Sequence, residues 1–447
     1  MVIGTDQTPV LPMDGALPPD LQGTLLRVGP STIPAAPSEL AGPGTEGAAS
    51  EQAGTEPGEG ATEPPRGALH AVELRDGQAV SYLCRETPAD AGVLWHAGSV
   101  LALPESGLPS RYSRLLEPEE FSGGLTVPIA SHVHRVAADG ARILFGVDDR
   151  DAESAGVVLR VGEWDATGAL RTAQQVAVER ATWQHDVGVT ATRVVVIESP
   201  TQRLVGVPDA SGAVPFGWRP GAGVRLGLVP RGGDGTAVRW VGLDPCLVTH
   251  VLGAMDTGDG DVELVVCRYD APEEGQAIDL ASSVVGPAGI GLTPIGGSLA
   301  VLERWRVTGA LVERSQLDER HVEHPRLDPA CEGAPFRHGY CVETTWDGVP
   351  QPVGLLKVDL ARDQVTSWRP GPGRRTAEPL FVRAGDGRGD DEGWILTLVD
   401  DPDRGASDLY VLDASELGRR RPEAVVHLPA RLPLRSHGEW VPAASYR

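Results

Sequence analysis

The stretch GVVLRVGEWDATGALRTAQQVAV, residues 156–178, holds the pattern that decides the fold. Apolar side chains run or alternate as far as Trp164, a polar turn follows at 165–168, and a second alternation of apolar and polar residues begins at Leu170. Alternation with a period of two on each side of a turn that contains glycine predicts two antiparallel strands joined as a hairpin.

The same figure of strand, tight polar turn and returning strand recurs in RWRVTGALVER (304–314) and KVDLARDQVTS (357–367). Further short strands are predicted at 68–85, 142–147, 262–269, 394–401 and 408–415. The 56 glycines and 38 prolines are spread over all 447 residues and helical periodicity is rare, so long helices are not expected. Recurring antiparallel meanders are typical of a β-propeller, whose blades are four-stranded sheets. We therefore predict an all-β propeller, with a double β-sandwich as the alternative.

We expect a single domain over residues 1–447, with residues 31–66 forming a flexible acidic loop within it. That stretch consists almost entirely of Gly, Ala, Pro, Ser, Thr and Glu. Such a composition buries too little apolar surface to offset the entropy lost when a chain becomes ordered.

The charge and the cysteines restrict the classes of partner and compartment. The chain has 39 basic and 62 acidic residues and a formal net charge of −23. Phosphate binding needs clustered Lys and Arg, so no nucleic-acid partner is expected. No apolar run approaches the length of a membrane span, and the N-terminus lacks the regions of a signal peptide. Five cysteines without a CxxC pair fit reduced thiols, so a cytoplasmic protein is predicted.

Four of the eleven histidines stand at the ends of predicted strands, far apart in the sequence: His132, His185, His250 and His437. The innermost strand of each propeller blade runs beside the central axis. One histidine from each of several blades could therefore converge there and bind a metal ion, although no HExxH or similar local motif is present.

Five stretches in the same order along the chain resemble motifs of the carotenoid cleavage oxygenases. They are LPPDLQGTLLRVGPS (17–31), GALHAVELRDG (67–77), HAGSVLALPESGLPSRY (96–112), TWQHDVGVTATRVVVIESP (182–200) and SHGEW (436–440). This family comprises nonheme iron enzymes built as seven-bladed β-propellers. The resemblance therefore implies seven blades, with loops capping the face that carries the metal.

The resemblance also implies that Fe²⁺ is bound by four histidines: His132, His185, His250 and His437. His134 is the alternative to His132, since residues two apart lie on the same face of a strand. His132 is preferred because its distance to the turn at Gly140 matches the family pattern, although Val133 stands where the family has proline. Four imidazoles leave two coordination positions of the metal free, one for O₂ and one that faces the substrate.

The glutamates that match those of the family are Glu105, Glu323 and Glu378. The resemblance implies that each accepts a hydrogen bond from a metal-binding imidazole and so fixes its tautomer and orientation. No residue of the chain is assigned a role as catalytic acid or base.

The resemblance implies an iron(II)-dependent oxygenase that cleaves a C=C double bond of a conjugated alkene with O₂ and gives two carbonyl products. With 5% aromatic residues and no evident apolar run for a membrane, a small apolar alkene, either an apocarotenoid or an aryl-alkene, is expected rather than a long carotenoid. Stilbene-cleaving relatives carry a lysine where this chain has Pro104. The alternatives are a non-cleaving isomerase or other iron enzyme on the same scaffold, and a metal-free binding protein.

Overall fold

The computed structural model describes residues 10–30, 67–121, 124–125, 128–148, 157–179, 181–203, 216–258, 260–271, 277–278, 298–385, 389–419, 421–434 and 437–446. The predicted acidic loop at 31–66 lies outside these residues. Its flexibility stays a prediction.

Short strands make up most of the described chain. As far as residue 178 they are β1 (Met13–Gly15), β2 (Gly23–Pro30), β3 (Gly67–Arg75), β4 (Gln78–Thr87), β5 (Gly92–His96), β6 (Ser99–Leu103), β7 (Ser106–Gly107), β8 (Ser110–Tyr112), β9 (Pro118–Glu119), β10 (Ile129–Ala130), β11 (His134–Arg135), β12 (Arg142–Asp148), β13 (Val157–Trp164) and β14 (Leu170–Val178). From residue 188 to residue 308 they are β15 (Gly188–Val189), β16 (Arg193–Glu198), β17 (Thr201–Arg203), β18 (Phe216–Trp218), β19 (Val224–Pro230), β20 (Arg239–Leu243), β21 (Cys246–Asp256), β22 (Val262–Asp270), β23 (Ala277–Ile278) and β24 (Val301–Thr308). The remainder are β25 (Leu311–Arg326), β26 (His338–Asp347), β27 (Val349–Asp359), β28 (Gln364–Trp368), β29 (Arg375–Thr376), β30 (Leu380–Arg383), β31 (Gly393–Asp401), β32 (Ala406–Asp413), β33 (Ala424–His427) and β34 (Gly438–Pro442).

The helical segments of the described chain are three short 3₁₀ turns, at Pro220–Ala222, Pro329–Cys331 and Ala443–Tyr446. The prediction of an all-β fold is confirmed. None of the helices in the described ranges has the length and apolar character needed to span a bilayer.

The hairpin predicted at 156–178 forms as β13 and β14, with Trp164 opposite Leu170. Its turn is held by the Asp165 carboxylate, which accepts hydrogen bonds from the amides of Thr167 (2.8 Å) and Ala169 (3.1 Å). Gly168 adopts a φ of +84°, a backbone conformation that glycine reaches without steric cost. The turn residues therefore determine where the chain reverses.

The strands pair into antiparallel sheets that mostly follow the order of the chain. The larger sheets have the orders β34-β2-β3-β4, β5-β6-β8-β9, β11-β12-β13-β14, β15-β16-β19-β20, β21-β22-β24-β25-β26-β27-β28 and β1-β33-β32-β31-β29, with β30 also paired to β31. In the first sheet the C-terminal β34 pairs with the N-terminal β2, so that the two ends of the described chain share one sheet.

Apolar clusters join each sheet to the sheets before and after it along the chain. Ile143 of β12, for example, packs in one cluster with Val194 of β16, and another cluster joins Leu25 of β2 to Leu396 of β31. Because the last sheet packs against the first, the sheets close into a ring. The count of seven blades stays a prediction, since one of the sheets has seven strands and so does not correspond to a single four-stranded blade.

Candidate metal centre

The four histidines singled out in the sequence come from different sheets and meet at one point. Each offers a ring nitrogen, and these four nitrogens all lie within 4.8 Å of one another. His132, His185 and His437 stand just before β11, β15 and β34. His250 differs from the expectation, because it lies inside β21, where the strand register shifts on both sides of Val251. A bulge of this kind changes the direction of the side chains that it carries.

The rings are packed edge to face around His132. The centroid of its ring lies 4.5 Å from that of His185, 5.0 Å from that of His250 and 4.3 Å from that of His437. The Nε2 atoms of His185 and His250 are 3.2 Å apart. His132 Nε2 is buried and has no hydrogen-bond partner among the described residues. A buried nitrogen without a hydrogen-bond partner lowers the stability of the fold unless a ligand binds to it.

Each of the other three imidazoles is held from behind by one of the glutamates singled out in the sequence. The contacts run from His185 Nδ1 to Glu105 Oε1 (2.6 Å), from His250 Nδ1 to Glu323 Oε2 (2.6 Å) and from His437 Nδ1 to Glu378 Oε1 (2.8 Å). When Nδ1 donates its proton to a carboxylate, Nε2 is left with a free lone pair. Three such lone pairs therefore belong to the group of nitrogens that lie within 4.8 Å of one another.

The surroundings of the rings favour neutral imidazole at two of the four positions. Burial and the nearby rings of the other histidines lower the pKa of His132 well below its usual value. Burial also lowers the pKa of His437, although Glu378 opposes this shift. At His185 burial is outweighed by Glu105, which raises the pKa of the imidazole. A metal ion would compete with the second proton of the His185 imidazole, because only a deprotonated nitrogen binds metal.

The carboxylate of Glu323 is buried and accepts several hydrogen bonds. It accepts from His250 Nδ1, from the hydroxyl of Thr249 (2.7 Å) and from the hydroxyl of Tyr269. Burial would raise its pKa, but His250 and these donors outweigh burial and lower the pKa of Glu323 to about 2.

We expect the stability of the metal-free protein to depend on this ionised carboxylate. An unperturbed glutamic acid has a pKa of about 4.3. Because the folded pKa of Glu323 is lower, its contribution to stability is complete above about pH 5 and is lost as the pH falls towards 2. Glu323→Gln should therefore lower the melting temperature at pH 7, and the gap to the wild type should narrow between pH 5 and pH 3. Thermal melts of both metal-free proteins measure the gap.

The control for this experiment is Glu313→Gln, a change at an exposed glutamate of the same strand, β25. It should leave the melting temperature near that of the wild type at every pH. A gap for Glu323→Gln that stays constant down to pH 3 would contradict the prediction.

His134, the alternative to His132, lies outside the group of four. Its ring contacts two carboxylates, Asp186 Oδ1 through Nε2 and Glu332 Oε1 through Nδ1, both at 2.6 Å. Burial opposes a charge on this ring, but the two carboxylates raise the pKa of His134 to about 10. With both nitrogens occupied as donors, His134 has no lone pair to offer a metal.

A fifth imidazole, that of His324, was not anticipated from the sequence. Its ring centroid lies 5.3 Å from those of both His250 and His437, and its Nδ1 is buried without a hydrogen-bond partner in the described part of the chain. His324 immediately follows Glu323, and consecutive residues of a regular strand point to opposite faces, so no local signal in the sequence placed its ring here. His70, by contrast, lies away from the group of four and forms a hydrogen bond of 2.8 Å with the Tyr82 hydroxyl.

The chain is similar to known proteins over most of its length. The model of the retinal pigment epithelial membrane protein family matches residues 45–442. A carotenoid cleavage oxygenase of Mycobacterium tuberculosis is 26% identical over 97% of this chain and 94% of its own length. An isoeugenol monooxygenase of Pseudomonas nitroreducens is 24% identical over 80% of this chain and 75% of its own length.

Solved structures share the fold over nearly the whole chain. The Synechocystis apocarotenoid oxygenase, in a variant form, superposes with a TM-score of 0.76 at 20% identity and covers 97% of this chain and 95% of its own. The lignostilbene dioxygenase of Pseudomonas brassicacearum gives a TM-score of 0.76 at 21% identity with the same coverage. The predicted propeller class is thereby confirmed, and the family match with its curated relatives confirms the prediction of a dioxygenase-type enzyme. The chain belongs to the retinal pigment epithelial membrane protein family, which includes the carotenoid cleavage oxygenases.

Proposed function

We propose that this chain is an iron(II)-dependent dioxygenase that cleaves the C=C bond of a small conjugated alkene and gives two carbonyl products. Its metal ligands are His132, His185, His250 and His437. The observation that carries the proposal is the meeting of four ring nitrogens within 4.8 Å of one another, with three of the rings held at Nδ1 by glutamates.

The donor set fits a divalent transition metal. Imidazole nitrogen suits iron, copper, nickel and zinc, and does not suit magnesium or calcium. The unpartnered and buried Nε2 of His132 supports the same reading, because a metal would supply its missing partner. Iron is proposed among these metals because the resemblance to the carotenoid cleavage oxygenases implies it. Bound iron would supply the activation of O₂ for the cleavage.

The residues of the chain would supply position and tautomer. Three rings keep their protons at Nδ1, where they donate to Glu105, Glu323 and Glu378. The lone pair of each Nε2 therefore stays free to bind the metal. Trp183 adds to this at His185, because its ring stacks on the imidazole with centroids 4.6 Å apart and its indole N–H donates to Glu105. No acid or base of the chain is required to move a proton.

The substrate is proposed from the relatives. The names of the compared proteins refer to apocarotenoids, lignostilbenes and isoeugenol, all of them conjugated alkenes. Pro104 precedes Glu105 where stilbene-cleaving relatives resembling this chain have a lysine, so a phenolate could not be held there by an ammonium group. We therefore propose that the reactants are O₂ and either an apocarotenoid or an aryl-alkene that needs no ammonium group to hold a phenolate.

We also propose one domain over residues 1–447 and a reducing compartment, the cytoplasm. The family match over residues 45–442 supports the single domain. The five cysteines, Cys84, Cys246, Cys267, Cys331 and Cys341, are all free thiols, which supports the compartment.

Anaerobic reconstitution with Fe²⁺ followed by reaction under ¹⁸O₂ tests the function. The panel is a set of stilbenes, phenylpropenes and apocarotenals, and mass spectrometry of the products is the measurement. We expect one iron per chain and two carbonyl products that both carry the label. An isomerase would give an unlabelled product of unchanged mass. A protein that binds no iron after reconstitution would contradict the proposal.

A further inference from the structure

The carboxylate of Asp186 lies beside the candidate metal centre, although none of its hydrogen bonds goes to one of the four imidazoles. Its side chain is 3% exposed. Oδ1 accepts from His134 Nε2 (2.6 Å) and from the amide of Val187 (2.8 Å), and Oδ2 accepts from the amide of Val251 (2.7 Å). Oδ1 therefore accepts from two N–H donors and Oδ2 from one.

These donors belong to the three chain segments that carry three of the four imidazoles. His134 comes two residues after His132, Asp186 itself follows His185, and Val251 follows His250. One carboxylate thus connects segments that are 52 and 65 residues apart in the sequence.

The contact with Val251 is the most informative of the three. The register of β21 against β22 shifts on both sides of Val251, so the regular ladder does not define the backbone of the bulge that presents His250. The hydrogen bond from the Val251 amide to Asp186 fixes the position of this backbone instead.

The turn that carries Glu332 braces the far side of His134. Glu332 Oε1 lies 2.6 Å from His134 Nδ1, and the backbone carbonyl of Glu332 accepts from the amide of Ala137 at 2.9 Å. The next residue, Gly333, forms a bridge to Thr190, a few residues beyond His185. The imidazole of His134 is therefore fixed from both sides.

We propose that Asp186 is a positioning residue that sets the mutual placement of the His132, His185 and His250 imidazoles, so that metal affinity depends on a carboxylate that binds no metal. The inference rests on the proposed metal centre. It differs from the role of Glu105, Glu323 and Glu378, since each of those glutamates holds a single imidazole directly, whereas Asp186 acts through backbone and through His134.

Asparagine at position 186 has nearly the same shape but cannot satisfy the same donors. Its amide has one acceptor oxygen, and its NH₂ group would face at least one of the N–H groups of His134, Val187 and Val251. Two donors that face each other in a buried place must move apart, and the bulge at His250 would move with them.

The test is a titration of metal-free protein with Co²⁺, followed by the visible absorption of the bound ion, which reports affinity and ligand geometry without any turnover. For Asp186→Asn we expect a Kd about 10–100-fold higher than for the wild type, the range found when outer groups that orient metal ligands are removed. The absorption bands of the bound Co²⁺ should also shift.

The matched control is Asp359→Asn, which changes a buried carboxylate at the end of β27 that accepts from Arg337 at 2.8 and 2.6 Å. It should lose stability but keep the wild-type Kd and spectrum. If Asp186→Asn fails to fold, His134→Gln decides, with an expected rise in Kd of several-fold, since a single amide cannot hold Asp186 and Glu332 from both sides as the ring does.

The outcomes separate the two proposals. A wild type that binds no Co²⁺ overturns the proposed metal centre and this inference with it. A wild type that binds Co²⁺, with a folded Asp186→Asn or His134→Gln of unchanged Kd and spectrum, overturns the inference alone.

Discussion

Replacing His250 with alanine is expected to abolish iron binding and alkene cleavage while the chain remains folded. His250 Nε2 is 3.2 Å from His185 Nε2, so the two atoms face the same point. Removal of a group that only orients a ligand costs about 10–100-fold in metal affinity, and removal of a ligand itself should cost more. The measurements are iron per chain after anaerobic reconstitution and O₂ uptake with a cleaved alkene, and both should fall below about a hundredth of the wild-type value.

The fold should survive because Glu323 keeps other donors when the imidazole is removed. The hydroxyls of Thr249 and Tyr269 and the amide of His324 still donate to its carboxylate. The control is His427→Ala, which removes an imidazole that contacts Asp408 in a different sheet. Full iron occupancy in His250→Ala would show that the four-histidine assignment is wrong.

The strands and hairpins could be predicted from the sequence because their causes are local. A turn such as that at Asp165 and Gly168 is stabilised by atoms within four residues of one another, and the alternation on each side is set by burial of one face. The number of blades could not be obtained in this way, because the spacing of the meanders along the chain is irregular.

The choice between His132 and His134 depends on residues that the local sequence does not contain. His134 is drawn out of the group of four by Asp186, 52 residues away, and by Glu332, 198 residues away. A resemblance between motifs favoured His132 but gave no physical reason for the preference. That reason is the pair of carboxylates that tertiary packing brings to His134.

His324 was missed for a similar reason. It lies in β25 where the register against β26 shifts between Glu323 and Arg326, and its φ is +49°. A regular strand would point consecutive side chains to opposite faces, so Glu323 and His324 would not both be expected near the metal centre. The irregular backbone at this position brings His324 to the rings of His250 and His437.

Glu378 should be the glutamate whose removal costs the most stability. Its side chain is 1% exposed and accepts from Arg27 Nη1 (3.1 Å), Arg326 Nε (2.7 Å), His437 Nδ1 (2.8 Å) and the amide of Gly438 (2.9 Å). The two guanidinium groups and His437 outweigh burial and hold the pKa of Glu378 well below its usual range. Glu378→Ala would leave the buried Arg27 and the partly exposed Arg326 without this anion, and breaking the buried ion pair with Arg27 in this way costs about 3–5 kcal/mol.

Glu105→Ala is the matched variant that separates stability from metal binding. Glu105 also holds an imidazole, that of His185, but its side chain is 44% exposed, and its other partners are the neutral groups of Ser131 and Trp183. Urea unfolding of the metal-free proteins should show a loss of about 3–5 kcal/mol for Glu378→Ala and about 1 kcal/mol for Glu105→Ala. Iron titration should show weaker binding in both, by about 10–100-fold. Equal losses of stability would mean that Arg27 and Arg326 do not need the Glu378 charge, because a purely orienting carboxylate would cost the same at either place.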